Sequence, residues 1–160
     1  MLEILAVFAI VALDRLTKIW AGASLKPIGN IPILRDVFHL TYVENTGAAF
    51  SILRGQTLFL TVIPAVAAVI ICYLLISKKA VHPLSRWALV FILSGALGNL
   101  IDRVFWGYVI DFFDFRLIKF AIFNVADIFI TLGAAGLFLY VLFICDGKDT
   151  ANGKDGDCNT

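Results

Sequence analysis

Three acids interrupt apolar stretches of the chain: Asp14 within the first, Asp102 at the end of the third and Asp127 near the start of the fourth. An ionisable group in hydrocarbon is costly, and by default it points to a functional site. Two carboxylates that share a site cannot both ionise easily, so one keeps a proton while the other loses it. Such a pair can hydrolyse a peptide bond. The charged member takes a proton from water, and the neutral member donates one to the carbonyl oxygen. Asp102 and Asp127 are the better-equipped candidates. Asn99 and Arg103 are four apart and share a helix face; Asn124 and Asp127, three apart, share another. Each half thus presents an Asn and an Asp, with Arg103 beside them. An amide side chain offers both a donor and an acceptor to a substrate backbone. Blander readings stay open: Asp102 beside Arg103 also reads as an ion pair near a helix end. Asp14 with Lys18 at i,i+4 is either structural or substrate-positioning.

The elements that must position these groups follow from composition. Hydrophobic residues make up 61% of the 160 residues and charged residues 16%, against about 25% charged in soluble domains. With a mean hydropathy of +0.93, the implied solvent is lipid. A net charge of +1 gives no basic field for nucleic acid. Cys72, Cys145 and Cys158 form neither a disulfide framework nor a metal-binding spacing, and His39 and His82 lie far apart. We therefore expect no metal and no cofactor.

Four apolar stretches, Leu2–Ala21, Thr57–Ile76, Ser85–Ile101 and Phe120–Ile144, each approach the roughly 20 residues that a helix needs to cross a bilayer. The expected fold is an all-α membrane protein of four transmembrane helices. The first stretch carries Asp14, Arg15 and Lys18 and lacks a basic leading region, so it does not read as a cleaved signal sequence. The loop from Ser77 to Arg86 holds three basic residues and no acid, which puts it and both termini on the cytoplasmic side. At 1.5 Å per residue, Asp14 and Asp127 then sit about 10 Å below the outer boundary of their helices, with Asp102 near that boundary. Residues 22–56 form an outer segment. Val37–Val43 is strand-like, and Gly29, Asn30 and Pro32 punctuate its approach. A small extracytoplasmic sheet or hairpin is expected there, closing over substrate as a lid. Asn45, Thr46, Gly47, Ala48 and Ala49 make a small-residue patch, either a turn or a passage for a substrate backbone. One domain spans residues 1–145, and the polar tail 146–160 is expected to be disordered.

Five motifs carry a family resemblance. They are Asp14-Arg15-Leu16-Thr17-Lys18, Glu44-Asn45-Thr46-Gly47-Ala48-Ala49-Phe50-Ser51, Gly95-Ala96-Leu97-Gly98-Asn99-Leu100-Ile101-Asp102-Arg103, Val109-Ile110-Asp111-Phe112-Phe113-Asp114, and Phe123-Asn124-Val125-Ala126-Asp127. In that order, on a hydrophobic chain, the sequence resembles lipoprotein signal peptidase, also called signal peptidase II. The resemblance implies an aspartic endopeptidase of the bacterial inner membrane that cuts prolipoproteins just before a diacylglyceryl-modified cysteine. It implies catalytic roles for Asp102 and Asp127, substrate contacts at Asn45, Gly47, Asn99, Arg103 and Asn124, and a supporting polar pair, Asp14 and Lys18. It also implies a β-cradle for the outer segment, a short outer helix and loop over Val104–Lys119, and inhibition by the cyclic peptide globomycin. The implied partners are the prolipoprotein and membrane lipid, with the enzyme a monomer and its site facing the periplasm. Arg15 and Ser94 depart from the family's usual Gln and Gly, and neither is expected to touch the acid pair. Two other classes predict differently. A proton-coupled transporter needs polar positions through both leaflets, whereas these acids gather on one side. A scaffold subunit would lose stability, not hydrolysis, when its acids are neutralised.

Overall fold

The apolar runs become four helices in a computed structural model that describes residues 1–47, 55–77, 79, 82–118 and 120–145. Helix α1 spans Leu2–Trp20, α2 Thr57–Ile76, α3 Pro83–Trp106 and α4 Val125–Tyr140; π-helical turns extend α1 through Ala21–Leu25 and α4 through Val141–Cys145. α2, α3 and α4 with its extension to Ile144 are long and apolar enough to cross a membrane. The solvent is legible in which side chains are covered. α1 exposes Leu2, Leu5, Phe8, Leu13, Leu16 and Ile19 and buries Ile10, Asp14 and Lys18. Those three are spaced by four and lie on one face. α1 therefore turns greasy side chains outward and charge inward, the reverse of a helix on a water-soluble core.

α3 sits at the centre and packs against α1, α2 and α4. Glycines permit that closeness. A Cβ on Gly98 would lie 2.6 Å from Asp14 Oδ2, and one on Gly133 of α4 would lie 2.5 Å from the Ala88 carbonyl oxygen. The start of α3 is fixed by Pro83 in its first turn and by the His82 ring, whose Nδ1 accepts from the Leu84 N–H at 3.2 Å. Gly107, left-handed at φ 76°, ends it. The helix thus continues past the expected limit at Ile101, and Asp102 lies within it. At the far end of the bundle Arg86 grips Glu3 with two nitrogens, at 2.7 and 2.6 Å, tying α1 to α3.

The opposite end of the bundle carries a three-stranded antiparallel sheet in the order β1 (Asn30–Leu34), β2 (Phe38–Asn45), β3 (Val109–Phe115). The first two form the expected hairpin. The third lies where the resemblance implied a short outer helix and loop over Val104–Lys119: Val104–Trp106 instead end α3 and Val109–Phe115 form a strand, while Lys119 falls outside the described residues. The physical reason is composition: Val-Ile-Asp-Phe-Phe-Asp-Phe is β-branched and aromatic, and it fits a pleated surface. β2 pairs with β3 through His39 opposite Asp114 and Asn45 opposite Val109, with an irregularity between Leu40 and Val43. Phe112 roots the sheet in the helices, buried with Ala21, Leu25 and Val125. Ala48 and Ala49 of the small-residue patch, Lys78 of the basic loop and the tail from residue 146 fall outside the described residues.

Candidate active site

Asp111, on β3, is 3% exposed. Asn45, at the end of β2, donates from Nδ2 to Asp111 Oδ2 at 2.9 Å. Asn124 donates from Nδ2 to Asp111 Oδ1 at 2.6 Å. Asn124 is the N-cap of α4, and Asp127 is the third residue of that helix. The Asn124 side chain accepts from the Asp127 N–H, and Asp127 Oδ2 accepts from the Asn124 N–H, each at 3.1 Å. This capping box fixes the first turn of α4 and explains why the helix begins at Val125 rather than Phe120. From α3, Asn99 donates through Nδ2 to Asp127 Oδ1 at 2.8 Å and accepts from Asn124 Nδ2 at 3.1 Å. Asn124 therefore touches both carboxylates, one through its side chain and the other through its backbone.

Asp111 and Asp127 line one cavity of about 460 Å³ together with Asn45, Asn99 and Arg103. Its other wall is apolar, with Phe120, Ile122, Phe123, Ile128, Ile130 and Leu132. Arg103 donates from Nη2 to the Gly47 carbonyl at 3.2 Å, and the Gly47 N–H returns to Asn45 Oδ1 at 2.9 Å. Gly47, which follows β2, is so held beside the cavity. Asp111 is pushed up to about 7, first by burial and then by the negative charge of Asp127, against the hydrogen bonds from Asn45 and Asn124.

Asp102 stands elsewhere. It is fully buried and is not among the residues lining the cavity. Arg15 Nη2 sits on its Oδ1. Lys18 Nζ, at 2.9 Å, and the Ile110 N–H, at 3.3 Å, take its Oδ2. The expected partnership of Asp102 with Asp127 is thereby corrected: the acid that shares the cavity with Asp127 is Asp111, while Asp102 turns to the cations of α1. The expectation that Arg15 touches neither acid of that pair is corrected too. Lys18 Nζ also reaches Asp14 Oδ2 and Asn99 Oδ1, both at 2.9 Å, and Asp14 Oδ1 accepts from the Ala126 N–H at 3.0 Å. Among the described residues no group of three or more His, Cys, Asp or Glu side chains is placed to hold a metal ion.

Asp111 lies between two apolar helical runs, not inside one, so an acid within a transmembrane stretch is no guide to it. A usable signal was present. In a strand of Val, Ile and Phe, whose two faces both bury apolar groups, an acid is as out of place as in a transmembrane helix.

The chain as a whole has known relatives. The family model for signal peptidase (SPase) II matches residues 6–143. The lipoprotein signal peptidase of Clostridioides difficile is 47% identical over 143 residues, covering 89% of this chain and 96% of that protein. The protein of the same name from Caldanaerobacter subterraneus is 47% identical over 142 residues, covering 89% and 97%. A solved structure described as a bacterial membrane enzyme is 32% identical with a TM-score of 0.78, covering 97% of this chain and 93% of the other. A match of this length, with this identity over nearly whole relatives, places the chain in the signal peptidase II family.

Proposed function

We propose that this protein is an intramembrane aspartic endopeptidase that removes the signal peptide from diacylglyceryl-modified prolipoproteins, cutting just before the lipidated cysteine, with Asp111 and Asp127 as the acid pair. The single observation that carries the pairing is two carboxylates facing one cavity and bridged by Asn124. The substrate class is supported by the relatives, which are lipoprotein signal peptidases.

In this reading Asp127 is the charged member. It takes a proton from water as the oxygen attacks the scissile carbonyl carbon. Asp111, which burial and its neighbour drive toward the neutral form, donates its proton to the carbonyl oxygen. The tetrahedral diol then collapses: its hydroxyl proton returns to Asp111, the C–N bond breaks, and Asp127 passes its proton to the departing amine. Both acids end as they began, and the chemistry calls for no metal or cofactor. Asn45 and Arg103 are assigned to the substrate backbone, Asn99 and Asn124 to holding the acids, and Gly47 to the rim that Arg103 fixes. Asp14 and Lys18, with Asp102, form the support beneath. The apolar wall from Phe120 to Leu132 suits the hydrophobic stretch of a signal peptide. A globomycin-type cyclic peptide would compete for the same cavity. The enzyme works as a monomer in the bacterial inner membrane. α1 forms the fourth span, both termini are cytoplasmic, and the site opens toward the periplasm.

The test is cleavage of a diacylglyceryl-modified prolipoprotein peptide in detergent. Wild type cuts it, chelators change nothing, and Asp111→Asn and Asp127→Asn each abolish cutting in folded protein. Asp102→Asn retains slower but measurable cutting. An active Asp111→Asn beside a dead Asp102→Asn would reverse the assignment. A wild type that never cuts would favour the transporter or scaffold readings.

A further inference from the structure

We propose that Arg15 is a positioning residue for the hydrolysis: by completing a buried set of two acids and two cations, it holds both cavity carboxylates in place from outside the cavity. This inference rests on the reading of Asp111 and Asp127 as the acid pair. Asp14, Lys18 and Asp102 have side chains no more than 1% exposed, whereas Arg15 is 18% exposed at the edge of the set. Three tethers leave the set. Asp102 accepts from the N–H of Ile110, the residue before Asp111. Asp14 accepts from the N–H of Ala126, the residue before Asp127. Lys18 holds Asn99, which in turn holds Asp127. Each acid of the pair is thus fixed through its own chain neighbour, and Asp127 through Asn99 as well.

Arg15 is the group that closes this device. Without it, Lys18 alone would face two buried carboxylates, and an uncompensated buried charge is strongly unfavourable. The guanidinium sits on Asp102 and over the Trp106 ring, 5.2 Å from its centroid. Among the described residues its buried Nε has no hydrogen-bond partner. An unpaired buried N–H is a real cost, so the side chain keeps this pose for what its head group holds. Charge matters as well as place. Among the described residues the charged groups around the acid pair are Lys18, Asp14 and Arg15 from α1 and Asp102 and Arg103 from α3. From β2 the neutral Asn45 reaches the pair; Glu44 is taken by Lys26 and Tyr42, and His39 by Asn30. On β3, Asp114 is taken by Arg116 and Thr41. Loss of the Arg15 cation makes this surrounding more negative and favours the protonated form of Asp111.

The experiment compares wild type, Arg15→Gln, Arg15→Lys and Trp106→Leu in peptide cleavage across pH, with thermal unfolding on the same samples. For Arg15→Gln the expected result is a kcat at least tenfold lower with KM little changed. The limb of its pH profile that follows Asp111 should move upward by roughly one pH unit, the order of magnitude for losing one nearby unit charge at an effective dielectric constant near 20. Arg15→Lys should return the profile to its wild-type position. A purely structural Arg15 would lower the yield of folded protein and leave the profile of the folded fraction unmoved, and that result overturns the proposal. If Arg15→Gln does not fold, Trp106→Leu decides: it removes the ring under the guanidinium and should lower kcat several-fold without moving the profile, and an unchanged kcat overturns the proposal. A wild type without cleavage is the separate failure of the acid-pair reading, and the proposal falls with it.

Discussion

Asparagine in place of Asp111 keeps the shape of the side chain and removes its proton chemistry. The two consequences have opposite signs. In the folded protein Asp111 binds its proton up to about 7, against an ordinary value of 3.8. Below 3.8 the group is neutral in both the folded and unfolded chain and does not influence folding. As pH rises through the interval, the unfolded chain releases the proton first, so the stability present at low pH is progressively lost. Above about 7 the loss is complete and amounts to about 4 kcal/mol. An amide at position 111 never ionises and avoids it. The amide has its own cost: it meets two donors, Asn45 Nδ2 and Asn124 Nδ2, and can accept from only one through its single oxygen. One lost partner costs about 1–2 kcal/mol. The net expectation at pH 8.5 is a variant about 2 kcal/mol more stable than wild type; at pH 4 it is less stable by about the cost of the lost partner. Cleavage should fall by at least about 10²–10⁴, the range of a general acid–base step. The assay is thermal unfolding in detergent at the two pH values beside peptide cleavage. A variant that is less stable than wild type at both pH values, or that still cuts within tenfold of it, refutes the placement of a proton on Asp111.

Three further outcomes are expected. Asn124→Ala removes the helix cap and the bridge between the acids. It should cost about 1–2 kcal/mol and most of the activity, whereas Asn124→Ser should recover the stability and not the cleavage; equal recovery of both would argue against a bridge. Gly98→Val drives a side chain against Asp14 Oδ2, which a bare Cβ would already approach to 2.6 Å, and should lower the unfolding midpoint by an amount equivalent to about 1–3 kcal/mol. Glu3→Gln removes a half-exposed ion pair with Arg86 at the end of the bundle remote from the cavity; it should change stability by about 1 kcal/mol or less and leave kcat and KM at wild-type values.

How legible the sequence was depends on the signal used. Hydropathy located α2 to the residue at both ends, because Thr57–Ile76 is apolar all round and needs no partner to define it. It missed the start of α4 by five residues, because Phe120 to Phe123 are as apolar as the helix. The boundary is set there by the Asn124–Asp127 capping box, a local polar device. The i,i+4 spacing of Asp14 and Lys18 sufficed to read their contact. Spacing said nothing about Asp102, whose partners Arg15 and Lys18 lie 87 and 84 positions away in the chain. Arg103, its neighbour in sequence, instead points across the cavity rim to Gly47. Adjacent residues on a helix diverge by about 100°, so an acid and the base beside it are poor guides to each other's partners.

That divergence explains how one short stretch of α3 serves two purposes. Asn99 and Arg103 share a face and look into the cavity; Asp102 looks the other way, to α1. The face toward α1 carries the buried charges, and buried charge is a poor way to gain stability: a well-packed apolar core would serve as well or better. Its merit is geometric. A hydrogen bond to a buried charge has few alternative partners, so the N–H groups of Ile110 and Ala126 are held in one arrangement. The proposed acid pair comes from a strand and the first turn of a helix, which the backbone hydrogen bonds of Phe123 to Phe112 and Phe113 and the Asn124 bond to Asp111 already join. Two carboxylates must stand around one water to within a fraction of an ångström, and lipid packing alone offers no directional contact to set that. The charges between α1 and α3 add a directional hold on both chain neighbours of the pair, and because removing one member leaves its partner's charge buried and uncompensated, variants of Lys18 and Asp102 are expected to lose stability together with activity.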